Sequence, residues 1–138
     1  MFDDPQSPDW TPLLEAAWKA RAHAHAPYSR FQVGAALLTV SGDIVGGCNV
    51  ENAAYPVTLC AERGALSTAV AAGLKPGDLV AAVVVTETPR LTPPCGACRQ
   101  ALAEFAGTLP VLLANRGTRE LHRLEDLLPH SFTGRNLG

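Results

Sequence analysis

Cys95 and Cys98 lie three residues apart in the segment Pro93-Pro94-Cys95-Gly96-Ala97-Cys98, a spacing that puts both thiols on one face of a helix. The prolines fix the entry of that helix and leave Cys95 near the positive end of its dipole. Cys60 stands at the head of a second helical run, CAERGALSTAVAA. Two helix starts can therefore aim three sulfurs at one point, and helix starts favour the thiolate, the form that binds metal. Three thiolates on a zinc ion leave one tetrahedral position open, as in a catalytic centre, whereas a structural centre wants a fourth protein ligand. Cys48 could be that ligand, but it falls in a predicted strand beside Gly46-Gly47, where no helix start presents it. Taken alone, the Cys-x-x-Cys pair fits a structural zinc clip or a redox couple equally well.

Glu62 shifts the balance toward catalysis. Positions two apart on a regular helix do not face each other. At a helix start, however, a long carboxylate can curl back toward a metal and carry a proton between water and substrate. A glutamate in a first turn can also do no more than compensate the helix dipole. Zinc with three thiolates carries a net negative charge, so a further carboxylate beside it is costly unless it works. Arg63, and Arg99 beside Cys98, offer offsetting cations. Arg63 and Gln100 are the residues placed to donate to sulfur and restore some acidity to the metal.

The elements that must position these groups alternate along the chain. Thr11 (N-cap) and Pro12 open a first helix that Pro27 ends. Residues 31–40 (FQVGAALLTV) and 43–50 (DIVGGCNV) read as a hairpin about a Ser41-Gly42-Asp43 turn. Residues 51–59 look irregular, 60–72 helical, and 79–86 (LVAAVVVT) form a strand apolar on both faces, hence covered on both. A proline-rich loop leads to the helix at Cys95. Then come a buried strand over 109–114, a short strand near 120–122 and a short helix over 124–128. This order predicts an α/β fold in which helix layers sandwich a sheet, with right-handed crossovers in the strand-helix-strand units.

The chain's bulk properties narrow the function further. Its 138 residues suit one domain over 1–138. With 11 basic and 13 acidic side chains, a net charge of −2 and only Lys19 and Lys75 as lysines, a nucleic-acid polymer is a poor partner. The acidic, proline-broken start is wrong for a signal peptide. No apolar run approaches the roughly 20 residues that span a bilayer. A soluble, cytoplasmic protein with reduced cysteines is expected.

The run Cys60-Ala61-Glu62-Arg63, followed by Pro94-Cys95-Gly96-Ala97-Cys98-Arg99-Gln100, resembles the zinc signature of the cytidine deaminases. Three further segments resemble the same family: residues 27–37 (PYSRFQVGAAL) its first strand, 47–56 (GCNVENAAYP) its ribose-binding segment, and 127–132 (LLPHSF) its C-terminal motif. Cysteine rather than histidine at position 60 resembles the short, homotetrameric enzymes acting on free nucleosides.

The resemblance implies a three-layer α/β/α sandwich with a central mixed sheet of about five strands. It implies one Zn²⁺ per subunit, held by Cys60, Cys95 and Cys98, with Glu62 as proton shuttle. The implied activity is hydrolytic deamination of cytidine and 2′-deoxycytidine, releasing ammonia, in pyrimidine salvage. Asn49 and Glu51 would bond the ribose hydroxyls, Phe31 would line the nucleoside pocket and the Ala61 backbone would meet the pyrimidine. Phe132, with Ala53 and Tyr55, would reach a neighbouring subunit's site.

Each assignment has a plainer counterpart: turn polarity for Asn49, a core position for Phe31, and docking on its own domain for Phe132. Cys48 reads as a buried small hydrophobe. His23, His25, His122 and His130 match no ligand position. Gly64, where a helix former is more usual, and the tail after Phe132, less acidic than expected, depart from the family pattern. A thiol–disulfide oxidoreductase leaves Cys60-Ala61-Glu62, Asn49 and Glu51 without a role, and a non-catalytic zinc module would need a fourth protein ligand. A deaminase of a nucleoside-like antibiotic would differ at the sugar contacts.

Overall fold

The all-apolar run 79–86 becomes the middle strand of the molecule. In a computed structural model describing residues 1–138, five strands pair in the order β2-β1-β3-β4-β5. They are β1 (Gly34–Thr39), β2 (Ile44–Cys48), β3 (Leu79–Val85), β4 (Pro110–Ala114) and β5 (Arg119–Arg123). The β3–β4 pair is parallel and the other three pairs are antiparallel, so the sheet is mixed. The helices are α1 (Thr11–Arg21), α2 (Ala61–Ala71), α3 (Gly96–Phe105) and α4 (Leu124–Leu127).

Successive residues of β3 point to opposite faces of the sheet. Ala82 and Val84 join the core under α2, α3 and α4, with Leu66, Leu102 and Leu124. Ala81, Val83 and Val85 join the core under α1, with Trp10, Leu13 and Ala17. This is the three-layer α/β/α sandwich. No helix is long and apolar enough to cross a membrane. β2 and β5 are the outer strands; β5 reads Arg119-Glu120-Leu121-His122-Arg123, with Glu120 and Arg123 exposed.

Three element boundaries differ from expectation, and two of the differences lead to the site. The first helix stops at Arg21, well short of Pro27. Beyond it His25 pairs with the segment after β2, its N–H donating to the Asn49 carbonyl (3.0 Å) and its carbonyl accepting from Glu51 N–H (2.8 Å). Strand-like pairing thus replaces the helical bonds. β1 begins at Gly34 instead of Phe31 because a side chain does the work of a neighbouring strand. The Asn49 amide accepts from Val33 N–H (2.9 Å) and donates to the Phe31 carbonyl (2.7 Å). At the start of α1, Thr11 is the first helical residue and not the cap, since a 3₁₀ turn over Pro8–Trp10 precedes it. That turn is capped by Ser7, whose Oγ accepts from Asp9 N–H (3.2 Å).

α2 lies directly on the backbone of β2. A Cβ on Gly47 would fall 2.4 Å from the Ala61 carbonyl oxygen and 2.5 Å from Ala65 N, inside the first turns of the helix. Only glycine permits that approach. Gly64, on the same helix, has nothing nearer than 3.5 Å to a built Cβ. Gly47→Ala is therefore expected to destabilise the fold by about 1–3 kcal/mol. Gly64→Ala is expected to gain about 0.5–1 kcal/mol of helix propensity. Chemical denaturation of the two variants against the parent checks both signs.

Candidate active site

The topology gathers the chemistry at one end of the sheet. β2 is antiparallel to β1 and β1 to β3, so β2 and β3 run parallel on either side of β1. Their carboxyl ends meet the amino end of β1, where Gly34 pairs with both Cys48 and Val85. The chain leaving β2 delivers Asn49 and Glu51 and then the head of α2; the chain leaving β3 delivers the head of α3. Phe31 stands just before β1. A site at the carboxyl ends of parallel strands follows from such a sheet.

Cys60 is the N-cap residue of α2 and Cys95 that of α3, and neither sulfur caps its own helix. Cys98 lies in the first turn of α3. The Cys60 and Cys95 sulfurs are 3.8 Å apart, and all three lie within 4.8 Å of one another. Cys98 is buried, Cys60 half-buried and Cys95 exposed. A hydrogen bond from Cys98 and the Arg63 guanidinium draw the Cys60 thiol down to about 5. Cys98, which shares its proton with Cys60 and is buried, is pushed up. One negative charge is thus readily held by the trio, and further ionisation calls for a cation among the sulfurs. A soft, close-set, three-sulfur donor set of this kind fits one zinc ion.

Arg63 Nη2 donates to Cys60 Sγ at 3.5 Å. The two neighbouring sulfurs, Cys60 first, raise the guanidinium pKa further and hold it charged. Its Nε is buried without an acceptor. Gln100, in contrast, makes no bond to sulfur. Its Nε2 donates to the Phe132 carbonyl (2.9 Å) and so ties the tail to α3. Arg99 faces away from the sulfurs too, donating from Nε to the Pro94 carbonyl (2.8 Å) and from Nη1 to Leu127 (2.6 Å). It fixes the turn that presents Cys95.

Glu62 is 5% exposed. Burial pushes its carboxyl up to about 7, and the Cys60 charge adds to the shift, while its own backbone N–H and Arg63 pull the other way. Burial wins, leaving an acid able to take and give a proton near neutrality.

Two cavities adjoin. The inner one, about 180 Å³, is lined by Cys60, Cys95, Glu62 and Ala61 together with Phe31, Asn49 and Thr58. The outer one, about 420 Å³, is lined by Tyr28, Ser29, Glu51, Tyr55 and Thr58. Thr58 belongs to both. Phe31 is 38% exposed at the inner cavity, which excludes the core reading for it. Ala53 and Phe132 are exposed and line neither cavity, the Phe132 ring being 58% exposed. Cys48 is half-buried and not fully enclosed, because β2 is an outer strand with a neighbour on one side only. None of the histidines joins the sulfur cluster; His122 Nε2 instead lies 2.5 Å from Glu120 Oε1. Thr58, Ser29 and Tyr28 are site residues that sequence reasoning passed over, since small hydroxyls and a tyrosine in irregular segments carry no spacing signal.

Comparison with known proteins agrees with this arrangement. Residues 10–113 match the model of the cytidine and deoxycytidylate deaminase zinc-binding region. The chain is 46% identical over 127 residues to a cytidine deaminase of Halalkalibacterium halodurans, covering 91% of this chain and 95% of that one. It is 47% identical over 127 residues to a cytidine deaminase of Sporosarcina psychrophila, covering 91% and 92%. Among solved structures, a cytidine deaminase from Burkholderia pseudomallei superposes with a TM-score of 0.85 at 51% identity, covering 88% of this chain and 98% of that one. The chain belongs to the cytidine and deoxycytidylate deaminase family of zinc-binding enzymes.

Elemental analysis of the purified protein is expected to find one zinc per chain. Cys48→Ser should keep that zinc through dialysis against a chelator, and Cys98→Ser should lose it.

Proposed function

We propose that this enzyme hydrolyses the C4 amine of free cytidine and 2′-deoxycytidine to give uridine and 2′-deoxyuridine with release of ammonia, in pyrimidine salvage. The observation that carries this reading is Glu62: a carboxyl pushed up to about 7, enclosed beside three sulfurs in a cavity that opens onto a second, hydroxyl-accepting one. Zinc held by Cys60, Cys95 and Cys98 would supply the Lewis acidity that makes water a nucleophile at neutral pH. Glu62 takes the first proton that water gives up and delivers it to N3 of the pyrimidine, which makes C4 electrophilic. After the new C4–O bond forms, Glu62 takes the proton of the C4 hydroxyl and passes it to N4, so that the C4–N4 bond breaks with ammonia leaving and a C4 carbonyl remaining. Ala61, the first residue of α2, lines the inner cavity, where its backbone would meet the pyrimidine.

The outer cavity suits the sugar. An ionised carboxylate offers about four acceptor positions. Glu51 uses three of them on the protein: Oε1 accepts from Tyr28 N–H (3.0 Å) and Ser29 N–H (3.1 Å), and Oε2 accepts from the Ser29 hydroxyl. The remaining position serves a single sugar hydroxyl, and the 3′-hydroxyl is common to both nucleosides. Asn49, with one N–H and one lone pair uncommitted, lines the adjoining inner cavity. The mouth carries Glu51 and two tyrosines where a polymer's phosphates would want cations.

The exposed apolar groups Tyr28 and Tyr55 at the outer cavity, with Val57 and Phe132 elsewhere on the surface, fit burial against further copies of the chain in a homotetramer. Phe132, Ala53 and Tyr55 would then complete a neighbour's site. A cytoplasmic setting keeps the thiols reduced.

One assay tests the reading: loss of cytidine absorbance with purified protein, with zinc counted in the same sample. Glu62→Gln is expected to retain its zinc while kcat falls by about 10²–10⁴-fold, the loss typical of removing a general acid–base group. A Glu62→Gln protein with ordinary turnover would refute the role of this carboxylate.

A further inference from the structure

We infer that Ser29 is a positioning residue for nucleoside binding, fixing through a single hydroxyl both the carboxylate of Glu51 and the backbone of Phe31. The inference rests on the reading of Glu51 and Phe31 as substrate contacts. It adds a residue outside the zinc signature and outside the sugar-binding pair.

A serine hydroxyl has one proton and two lone pairs. Phe31 N–H donates to Ser29 Oγ (3.0 Å), and Ser29 Oγ lies within hydrogen-bond reach of Glu51 Oε2. Since Oγ is an acceptor toward Phe31, and an ionised carboxylate can only accept, the lone proton goes to Glu51. The chain of bonds therefore has one direction, from the Phe31 amide through the hydroxyl to the carboxylate. No other side chain donates to Oε2. Hydrogen bonding from Ser29 is also the main reason that the Glu51 carboxyl sits below its usual range.

The residue spanned by this bridge is Arg30, whose φ of 58° places a non-glycine residue in the left-handed region. Such a conformation persists only where its surroundings enforce it. Here Arg30 N–H is held by the Ala26 carbonyl (3.0 Å), and the bridge closes the turn on the far side. Phe31 is in turn tied through its carbonyl to Asn49. Ser29, Glu51, Phe31 and Asn49 thus form one connected set, and Ser29 is the member that joins the outer cavity to the inner one. Without it Glu51 keeps only its two backbone donors and Oε2 is free to swing. The expected effect falls on nucleoside binding and spares the proton transfers of Glu62.

The test is a double-mutant cycle of Ser29→Ala and Glu51→Ala, with Ser29→Thr as the conservative variant. Melting temperature, zinc content and Kd for uridine are measured beside the kinetics. Ser29→Ala should raise KM and the uridine Kd by about 5–10-fold, the worth of one ordinary net hydrogen bond. Its kcat should stay within about 2-fold, since an interaction lost equally from ground and transition states leaves kcat alone. In the Glu51→Ala background the same change should have no further effect, and Ser29→Thr should restore parent values. A raised KM in Glu51→Ala beside an inert Ser29→Ala overturns the role of Ser29 alone. So does a Ser29→Ala effect undiminished in the Glu51→Ala background. An unaltered KM in Glu51→Ala overturns the sugar-contact reading itself, and the role of Ser29 with it.

Discussion

Three sulfurs within 4.8 Å of one another are the constraint around which this molecule is arranged. Two unit charges about 4 Å apart repel by about 4 kcal/mol at the screening typical of protein surfaces. A thiolate cluster therefore needs positive charge from every direction that can offer it. Two helix N-termini converge on it, and Arg63 leans across to Cys60. Burial, with the Cys60 charge adding to it, keeps the Glu62 carboxyl protonated above its usual range, against the pull of Arg63. The enclosure that makes charge costly at the sulfurs is thus also what makes the acid useful.

Convergence of this precision demands that two helices start at the same place, and the sheet supplies it. β2 and β3 end level with each other because the Gly34 register pairs both with one residue of β1. α2 then descends onto Gly47 with no side chain between, which sets the height of Cys60 and Glu62 above the sheet. α3 is held at its head by Arg99, whose guanidinium grips the carbonyl of Pro94. The residues that position the sulfurs are therefore a missing side chain and a backbone clamp. Neither would be picked out as functional on chemistry alone.

Much of the architecture is legible in the residue pattern, for reasons that can be stated. β3 and β4 are apolar at nearly every position, so both faces must be covered, and both faces are. The helix starts at Cys60 and Cys95 are legible from prolines and from the apolar runs that follow. The misread boundaries next to the site have one cause. Residues 22–33 look like the end of a helix and the start of a strand, but they belong to a segment organised by distant partners. His25 is paired with Val50, and Phe31 and Val33 with the Asn49 amide. Contacts so far apart in the chain leave no local periodicity. Gln100 was legible as a polar residue beside the sulfurs, but its use as a tether for Phe132 depends on where a tail folds back. The three sulfurs, with a compact spacing on helix starts, were the easiest part to see; the outer cavity, built from loops, was the hardest.

The outer strand β5 has a consequence for how copies of this chain can meet. An unpaired strand edge invites a neighbouring chain to extend the sheet, and charged residues along it discourage that. β5 carries Arg119, Glu120, His122 and Arg123 within five residues, and Glu120 and Arg123 stand in solvent. A second chain attempting to zip on would have to strip water from Glu120 and Arg123. Lengthening of the sheet past this border is thereby disfavoured.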